Sequence, residues 1–160
     1  RAVKMDYTIQ KAVELGVAEI TPLLTERCGV KLSEERSNKR LQHWRTIISN
    51  ACEQCGRDHL PSIAEPILLR DWLSKESSSD LKLVLDPTAT QKLSALPIDR
   101  STIQNVTLLI GPEGGLSEAE ILLAKQHNFV ALNLGPRILR TETAAVAALT
   151  ALQCWFGDLL

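Results

Sequence analysis

The sequence predicts one α/β domain with a mainly parallel sheet flanked by helices. Three short apolar runs, at residues 81–85, 106–110 and 129–134, are nearly continuous and rich in leucine or β-branched residues. Such runs are expected for parallel strands that are covered on both faces. Segments with helical periodicity separate or follow them, which is typical of a parallel sheet. At 160 residues, the chain can bury one core without disulfides or metal.

The first half of the chain is predicted to be mostly helical. Residues 7–15 predict a helix with an apolar face that stops at Gly16, and residues 17–24 predict a buried strand. Ser33 is a predicted N-cap for a long helix that ends near Gly56. The buried stripe of that helix is expected to comprise Leu41, Trp44, Ile48, Cys52 and Cys55.

The remaining elements follow from local signals. Residues 66–73 predict the end of a strand running into a short helix, and residues 77–80 a polar loop. Ser117 and Glu120 have the spacing of a capping box, which predicts a helix from there to about His127. Residues 143–156 predict an apolar helix, which must be buried in the core or against another subunit.

Composition limits the class of protein. The net charge is −1, whereas nucleic-acid binders usually carry a basic domain, so any RNA binding must use a local patch or a partner domain. On the long helix, Arg36, Lys39, Arg40 and Arg45 form a candidate basic side, weakened by Glu34 and Glu35. No apolar run reaches the roughly 18 residues of a membrane span, and no signal-peptide pattern opens the chain.

The cysteines favour a cytoplasmic protein without metal. Four cysteines are too few for a disulfide framework at this length, so a reducing cytoplasm is expected. Cys52 and Cys55 have the spacing of a redox or zinc motif, but both continue a helical stripe, which favours core packing. The chain begins with Arg1, and we expect it to be part of a longer polypeptide.

Two glycine-bearing loops each follow a predicted strand and lead into a predicted helix, which is where open α/β sheets bind ligands. The first contains Gly111, Gly114 and Gly115, so its backbone is able to approach a ligand closely. It has neither the lysine ending of a phosphate loop nor the glycine spacing of a dinucleotide site. The alternative is a tight turn without a ligand.

The second loop runs from Gly135 to Thr141 and contains Ile138 and Leu139 where solvent-facing residues are expected. Apolar side chains in such a loop must be buried by a ligand, by the fold or by a partner chain. Two arginines, Arg137 and Arg140, flank them together with Glu142.

Together, the two loops resemble the two signatures of the RsmE family. The first runs Ile110-Gly111-Pro112-Glu113-Gly114-Gly115 with Glu120 following, and the second runs Leu134-Gly135-Pro136-Arg137-Ile138-Leu139-Arg140-Thr141-Glu142-Thr143-Ala144. The stretches at 9–17 and 53–57, with Pro61, are similar as well. The resemblance therefore covers nearly the whole chain.

That resemblance implies a knotted SPOUT methyltransferase that transfers a methyl group from S-adenosyl-L-methionine to N3 of a uridine in small-subunit (16S) ribosomal RNA. It implies a deep C-terminal trefoil knot, a homodimer formed through the terminal helix, and an N-terminal RNA-binding domain that this chain lacks. The implied cofactor-binding residues are Leu85, Ile110, Gly111, Pro112, Glu113, Gly114, Gly115, Leu134, Gly135, Ile138, Leu139, Arg140, Thr141 and Ala144.

The chemistry of that reaction suggests roles for three charged residues. Uridine N3 carries a proton at neutral pH, so Glu113 and Glu142 are candidate bases. Arg140 is a candidate to stabilise the negative charge that spreads onto the uracil oxygens. Glu142 has a simpler interpretation, because a carboxylate at a helix start is favoured by the helix dipole.

Two other functions are compatible with parts of this pattern. A nucleotide-dependent oxidoreductase would use the first loop, but the glycine spacing and the lack of an acidic residue after the next strand argue against it. A non-catalytic RNA-binding or ribosome-assembly protein could keep the same fold. The intact cofactor loops argue against that alternative.

Overall fold

The computed structural model describes residues 2–29, 33–75 and 78–160, and it confirms the predicted α/β class with parallel strands. The helices are α1 (Ala2–Glu14), α2 (Glu34–Cys55), α3 (Leu69–Lys75), α4 (Glu118–Gln126) and α5 (Thr141–Phe156). The strands are β1 (Glu19–Ile20), β2 (Leu23–Leu24), β3 (Ser62–Ile63), β4 (Ile67–Leu68), β5 (Leu81–Leu85), β6 (Val106–Leu109) and β7 (Val130–Leu132).

The main sheet has three parallel strands in the order β6-β5-β7. Val84, Leu109 and Ala131 pack on one face with α3 and α4. Leu81, Leu83 and Leu132 pack on the other face with Leu152 of α5. Both faces are therefore covered, as the continuous apolar runs predicted.

The prediction of one buried strand at 17–24 is wrong. This segment forms the two-residue strands β1 and β2, which pair in parallel with β3 and β4 and are only partly buried. Pro22 lies between β1 and β2 and has no N–H to donate, which interrupts the ladder.

The first two helices form a separate cluster. The core face of α1 packs Ile9 and Val13 against Leu41, Trp44 and Ile48 of α2. Ser33 accepts a hydrogen bond from the Arg36 N–H, and α2 ends at Gly56 in the left-handed conformation, as predicted. Cys52 is buried, but Cys55 is exposed, so the predicted stripe of α2 stops one turn early.

Helix limits differ from the prediction mainly at the N-termini. Helix α1 begins at Ala2 rather than at residue 7, and α5 begins at Thr141 rather than at residue 143. In α5 only Ala145, Ala148 and Leu152 are buried, so much of this apolar helix remains partly exposed. Strands β6 and β7 are shorter than the runs predicted at 106–110 and 129–134. Of the predicted polar loop, Ser77 lies outside the described residues.

A buried carboxylate joins the N-terminal region to the second half of the fold. Glu120 accepts hydrogen bonds from the Ser117 N–H (2.9 Å) and from the Glu26 N–H (2.8 Å), and only 7% of it is exposed. Ser117 in turn accepts from the Glu120 N–H (3.1 Å), which completes the predicted capping box. Glu120 therefore has a tertiary role beyond capping α4.

We expect Glu120→Ala to lower the free energy of unfolding by about 3 kcal/mol, because two shielded N–H groups lose a charged acceptor. Glu118→Ala is the matched control, since Glu118 lies exposed in the same first turn. Its loss of helix-dipole stabilisation should cost less than about 1 kcal/mol. Urea denaturation measures both variants, and equal losses would contradict the tertiary role of Glu120.

Candidate functional site

Both glycine loops lie at one edge of the main sheet. Strand β5 lies between β6 and β7, with Val84 in register with Leu109 and Leu85 in register with Leu132. Because all three strands are parallel, their carboxyl ends meet at the same edge. The loop at 110–117 and the loop at 133–140 therefore flank the end of β5, as expected for a ligand site in such a sheet.

The first loop is shaped largely by contacts with the protein itself. Gly115 has a φ of 74°, and its N–H donates to the Pro112 carbonyl at 2.8 Å. A Cβ at Gly111 would lie 2.9 Å from Leu116 Cγ, and one at Gly114 would lie 3.1 Å from Arg27 Cβ. A larger residue at Gly114 would thus disturb Arg27 before it could obstruct a ligand.

Arg27 was not identified from the sequence, yet it contacts the first loop directly. Its Nη1 donates a hydrogen bond to the Gly114 carbonyl at 3.0 Å. The neighbouring Glu26 is held by Glu120, so the 26–27 turn is attached at two points to the segment between β6 and α4. The capping-box spacing was the only sequence signal at Glu120. It predicts a local contact and could not show that Glu120 also binds Glu26, 94 residues away.

The second loop is attached to the segment that follows β5. The Asn133 N–H donates to the Gln91 carbonyl (2.9 Å), and its Nδ2 donates to the Pro87 carbonyl (2.9 Å). Gly135, at a φ of 110°, donates its N–H to Asn133 Oδ1. Ile138 is 85% exposed, so the described fold does not bury it. Single exposed apolar residues are common on protein surfaces, so Ile138 favours a covering ligand or partner chain only in combination with the two glycine loops.

The predicted site residues lie at the end of β5, in the two loops and in the first turn of α5, with differing exposure. Four of them are exposed, namely Glu113, Gly114, Ile138 and Arg140. The others are partly buried: Leu85, Ile110, Gly111, Pro112, Gly115, Leu134, Gly135, Leu139, Thr141, Glu142 and Ala144. A surface of partly buried residues with a few exposed side chains is suited to a ligand that covers the exposed ones.

Two of the charged candidates, Glu113 and Glu142, lie close to α1, which the sequence did not associate with the site. Lys4 of α1 forms an ion pair with Glu113 of the first loop. Lys4 and Tyr7 also line a pocket of about 430 Å³ with Glu142, Thr143 and Val146 at the start of α5. Arg140 is the N-cap residue of α5 and makes no side-chain capping bond.

Two negative findings concern the described residues alone. Among residues 2–29, 33–75 and 78–160, no group of three or more His, Cys, Asp or Glu side chains could hold a metal ion. In that same part of the chain, no helix is long and apolar enough to cross a membrane.

Known proteins with the same architecture place this site in context. A structure described as a putative methyltransferase from Legionella pneumophila, in complex with the cofactor SAM, is 47% identical, with a TM-score of 0.90 over 98% of this chain and 63% of that one. A ribosomal RNA small subunit methyltransferase E from Neisseria gonorrhoeae, bound to S-adenosyl methionine, is 40% identical. Its TM-score is 0.89, and the match covers 99% of this chain and 63% of the other.

Curated sequences lead to the same family. A relative from Buchnera aphidicola, called ribosomal RNA small subunit methyltransferase E, is 46% identical over 98% of this chain. One of the same name from Bacillus subtilis is 32% identical over 94%. The chain spans 62% and 60% of these two relatives. Residues 1–153 match the RNA methyltransferase domain family, and with the predicted loop signatures in place the chain belongs to that family.

Proposed function

We propose that this chain is the methyltransferase domain of an enzyme that methylates N3 of a uridine in small-subunit ribosomal RNA, with S-adenosylmethionine as methyl donor. The observation that carries the proposal is the meeting of two glycine loops at the end of β5, with Ile138 left uncovered. Relatives of the same fold bind the cofactor. The proposal includes the trefoil knot, which rests on the family resemblance.

The chemical character of the residues at the sheet edge is suited to this cofactor. Backbone groups of residues 111–115 and 134–139 would hold its polar parts, and Leu134, Ile138 and Leu139 would enclose the adenine. A dinucleotide fits less well, because the first loop lacks the glycine spacing of a dinucleotide site. When bound, S-adenosylmethionine supplies a methyl group activated by its positively charged sulfur.

The chain must then prepare a weak nucleophile. The N3 proton of uridine has to be removed, and the candidate acceptors are Glu113 and Glu142. Glu113 is occupied by its ion pair with Lys4, which favours Glu142 for this role. Arg137 and Arg140 are exposed beside the second loop, where a guanidinium would stabilise charge on the uracil oxygens.

RNA contact by this chain depends on a local basic surface. Arg36, Lys39 and Arg40 follow i, i+3, i+4 spacing, so they share one exposed face of α2. Arg45 is nine residues beyond Arg36, which is about half a turn out of phase, and it lies outside that face. This patch is small, so a methyltransferase domain alone should bind RNA weakly. A non-catalytic RNA-binding protein of the same fold is the alternative function.

Cofactor binding is tested by Ile138→Asp, which removes an apolar cover without disturbing the core. We expect affinity for S-adenosylmethionine to fall at least tenfold, about 1.4 kcal/mol, while the melting temperature stays unchanged. Leu122→Asp is the control, because Leu122 is also an exposed apolar side chain (58%) but lies on α4. Calorimetry with S-adenosylmethionine, and with NAD for the dinucleotide alternative, gives the affinities. Unchanged affinity in Ile138→Asp would place the site elsewhere.

Catalysis is tested by Arg140→Ala in the natural full-length polypeptide. Since an arginine directed at developing charge acts mainly in the transition state, the single-turnover rate should fall by ~10²–10³. Cofactor and RNA affinities should change little. Mass spectrometry of the modified uridine follows the reaction. If only RNA affinity falls and the saturated rate is intact, Arg140 is a phosphate contact.

We also propose that α5 forms a homodimer contact. Much of this apolar helix is only partly buried in the described chain, and such a surface favours association. Sedimentation at micromolar concentration should give about twice the 17.7 kDa of one chain. A stable monomer under these conditions would contradict the dimer.

A further inference from the structure

The pocket between α1 and α5 borders both glycine loops. Its lining comprises Lys4, Tyr7, Glu142, Thr143 and Val146, and its volume of about 430 Å³ lies in the size range of small-molecule pockets. Lys4 reaches the first loop through its ion pair with Glu113. Glu142 directly follows the second loop. A group bound in the pocket would therefore adjoin the proposed cofactor site.

One oxygen in this lining has no hydrogen-bond partner. Glu142 Oε2 is shielded from solvent and accepts no hydrogen bond from any described residue. A shielded carboxylate oxygen without a donor is costly, so its position favours a ligand that brings a donor. A different rotamer earlier in the side chain would bring this oxygen to the pocket, because rotation about the last bond only exchanges Oε1 and Oε2.

The other lining residues complement that acceptor. Lys4 has an ammonium group that donates, and Thr143 has a hydroxyl that donates or accepts. Tyr7 is 46% exposed and offers an aromatic ring to the pocket, while Val146 adds an apolar surface. Aromatic rings on such surfaces stack on nucleic-acid bases. An acceptor beside donors and an aromatic ring matches a uracil, whose N3–H lies between two carbonyl oxygens.

We propose that this pocket is the subsite for the target uracil, with Tyr7 stacked on the base, Glu142 accepting from N3–H and Lys4 donating to a carbonyl oxygen. The proposal rests on the proposed function and extends it to residues of α1. It also gives a reason for selectivity. Cytosine presents an acceptor at N3, which would face the Glu142 carboxylate without a proton between them.

Methylation kinetics test the role of Tyr7 in the natural full-length polypeptide. Tyr7→Ala should raise KM for small-subunit ribosomal RNA at least tenfold, whereas the Kd for S-adenosylmethionine stays within twofold. Tyr7→Phe keeps the ring and should retain most of the affinity. Lys125→Ala is the control for a general loss of positive charge, because Lys125 lies on α4 and does not line the pocket.

Photocrosslinking locates the base independently of turnover. A short RNA carrying 5-iodouridine should crosslink to Tyr7, which is the single tyrosine of the chain, so the modified peptide is unambiguous. The same RNA with 5-iodocytidine should crosslink much less. Equal crosslinking of the two bases, or none at Tyr7, would overturn the assignment.

Two further results separate the possible failures. If Tyr7→Ala sediments as a monomer while the parent is a dimer, the pocket is a subunit contact and the uracil assignment is wrong. If the parent binds cofactor and methylates RNA but Tyr7→Ala has an unchanged KM, the pocket proposal alone fails. If the parent neither binds S-adenosylmethionine nor methylates RNA, the proposed function fails and the subsite falls with it.

Discussion

Parallel pairing of β5 with a strand on each side determines where the loops of the candidate site lie. Because β6, β5 and β7 all run in the same direction, each must be followed by a connection that starts at one common edge. The same pairing buries both faces of β5, and Leu83 and Val84 are fully buried there. A substitution that weakened this strand would therefore separate the two glycine loops as well as open the core.

Long-range hydrogen bonds then fix each loop relative to that edge. Glu120 and Arg27 attach the 26–27 turn to the first loop, and Asn133 attaches the second loop to the segment after β5. Arg57 acts similarly at the end of α1, where its Nη1 donates to the Val13 and Val17 carbonyls at 2.9 Å each. These polar contacts hold irregular backbone in place where regular hydrogen bonding is missing.

The sequence predicted features that depend on nearby residues. The Ser33 and Ser117 caps and the three main strands follow from local spacing or from continuous apolar runs, and all of them are present. The parallel pairing of β1 with β3 could not be predicted, because each strand has only two residues. The contacts of Arg27 and Lys4 with the first loop could not be predicted either. Each joins residues that are far apart in the chain, and no sequence motif relates them. The two loops were predicted from their position between strand and helix, whereas the assignment of individual residues to a cofactor came from the family resemblance.

The first turn of α5 links the second glycine loop to the pocket beside α1. Arg140 occupies the N-cap position without a side-chain capping bond, and Glu142 and Thr143 line the pocket two and three residues later. Backbone N–H groups in this turn have no intrahelical partner, so the helix start favours negative charge nearby. If the pocket is the proposed uracil subsite, that field favours negative charge on the base that binds there. Arg140 lies one residue before the helix and is exposed, so its positive charge would add to that field at the same end of the helix. In the proposed function, the helix start and Arg140 would therefore act together on the charge that develops on the uracil oxygens.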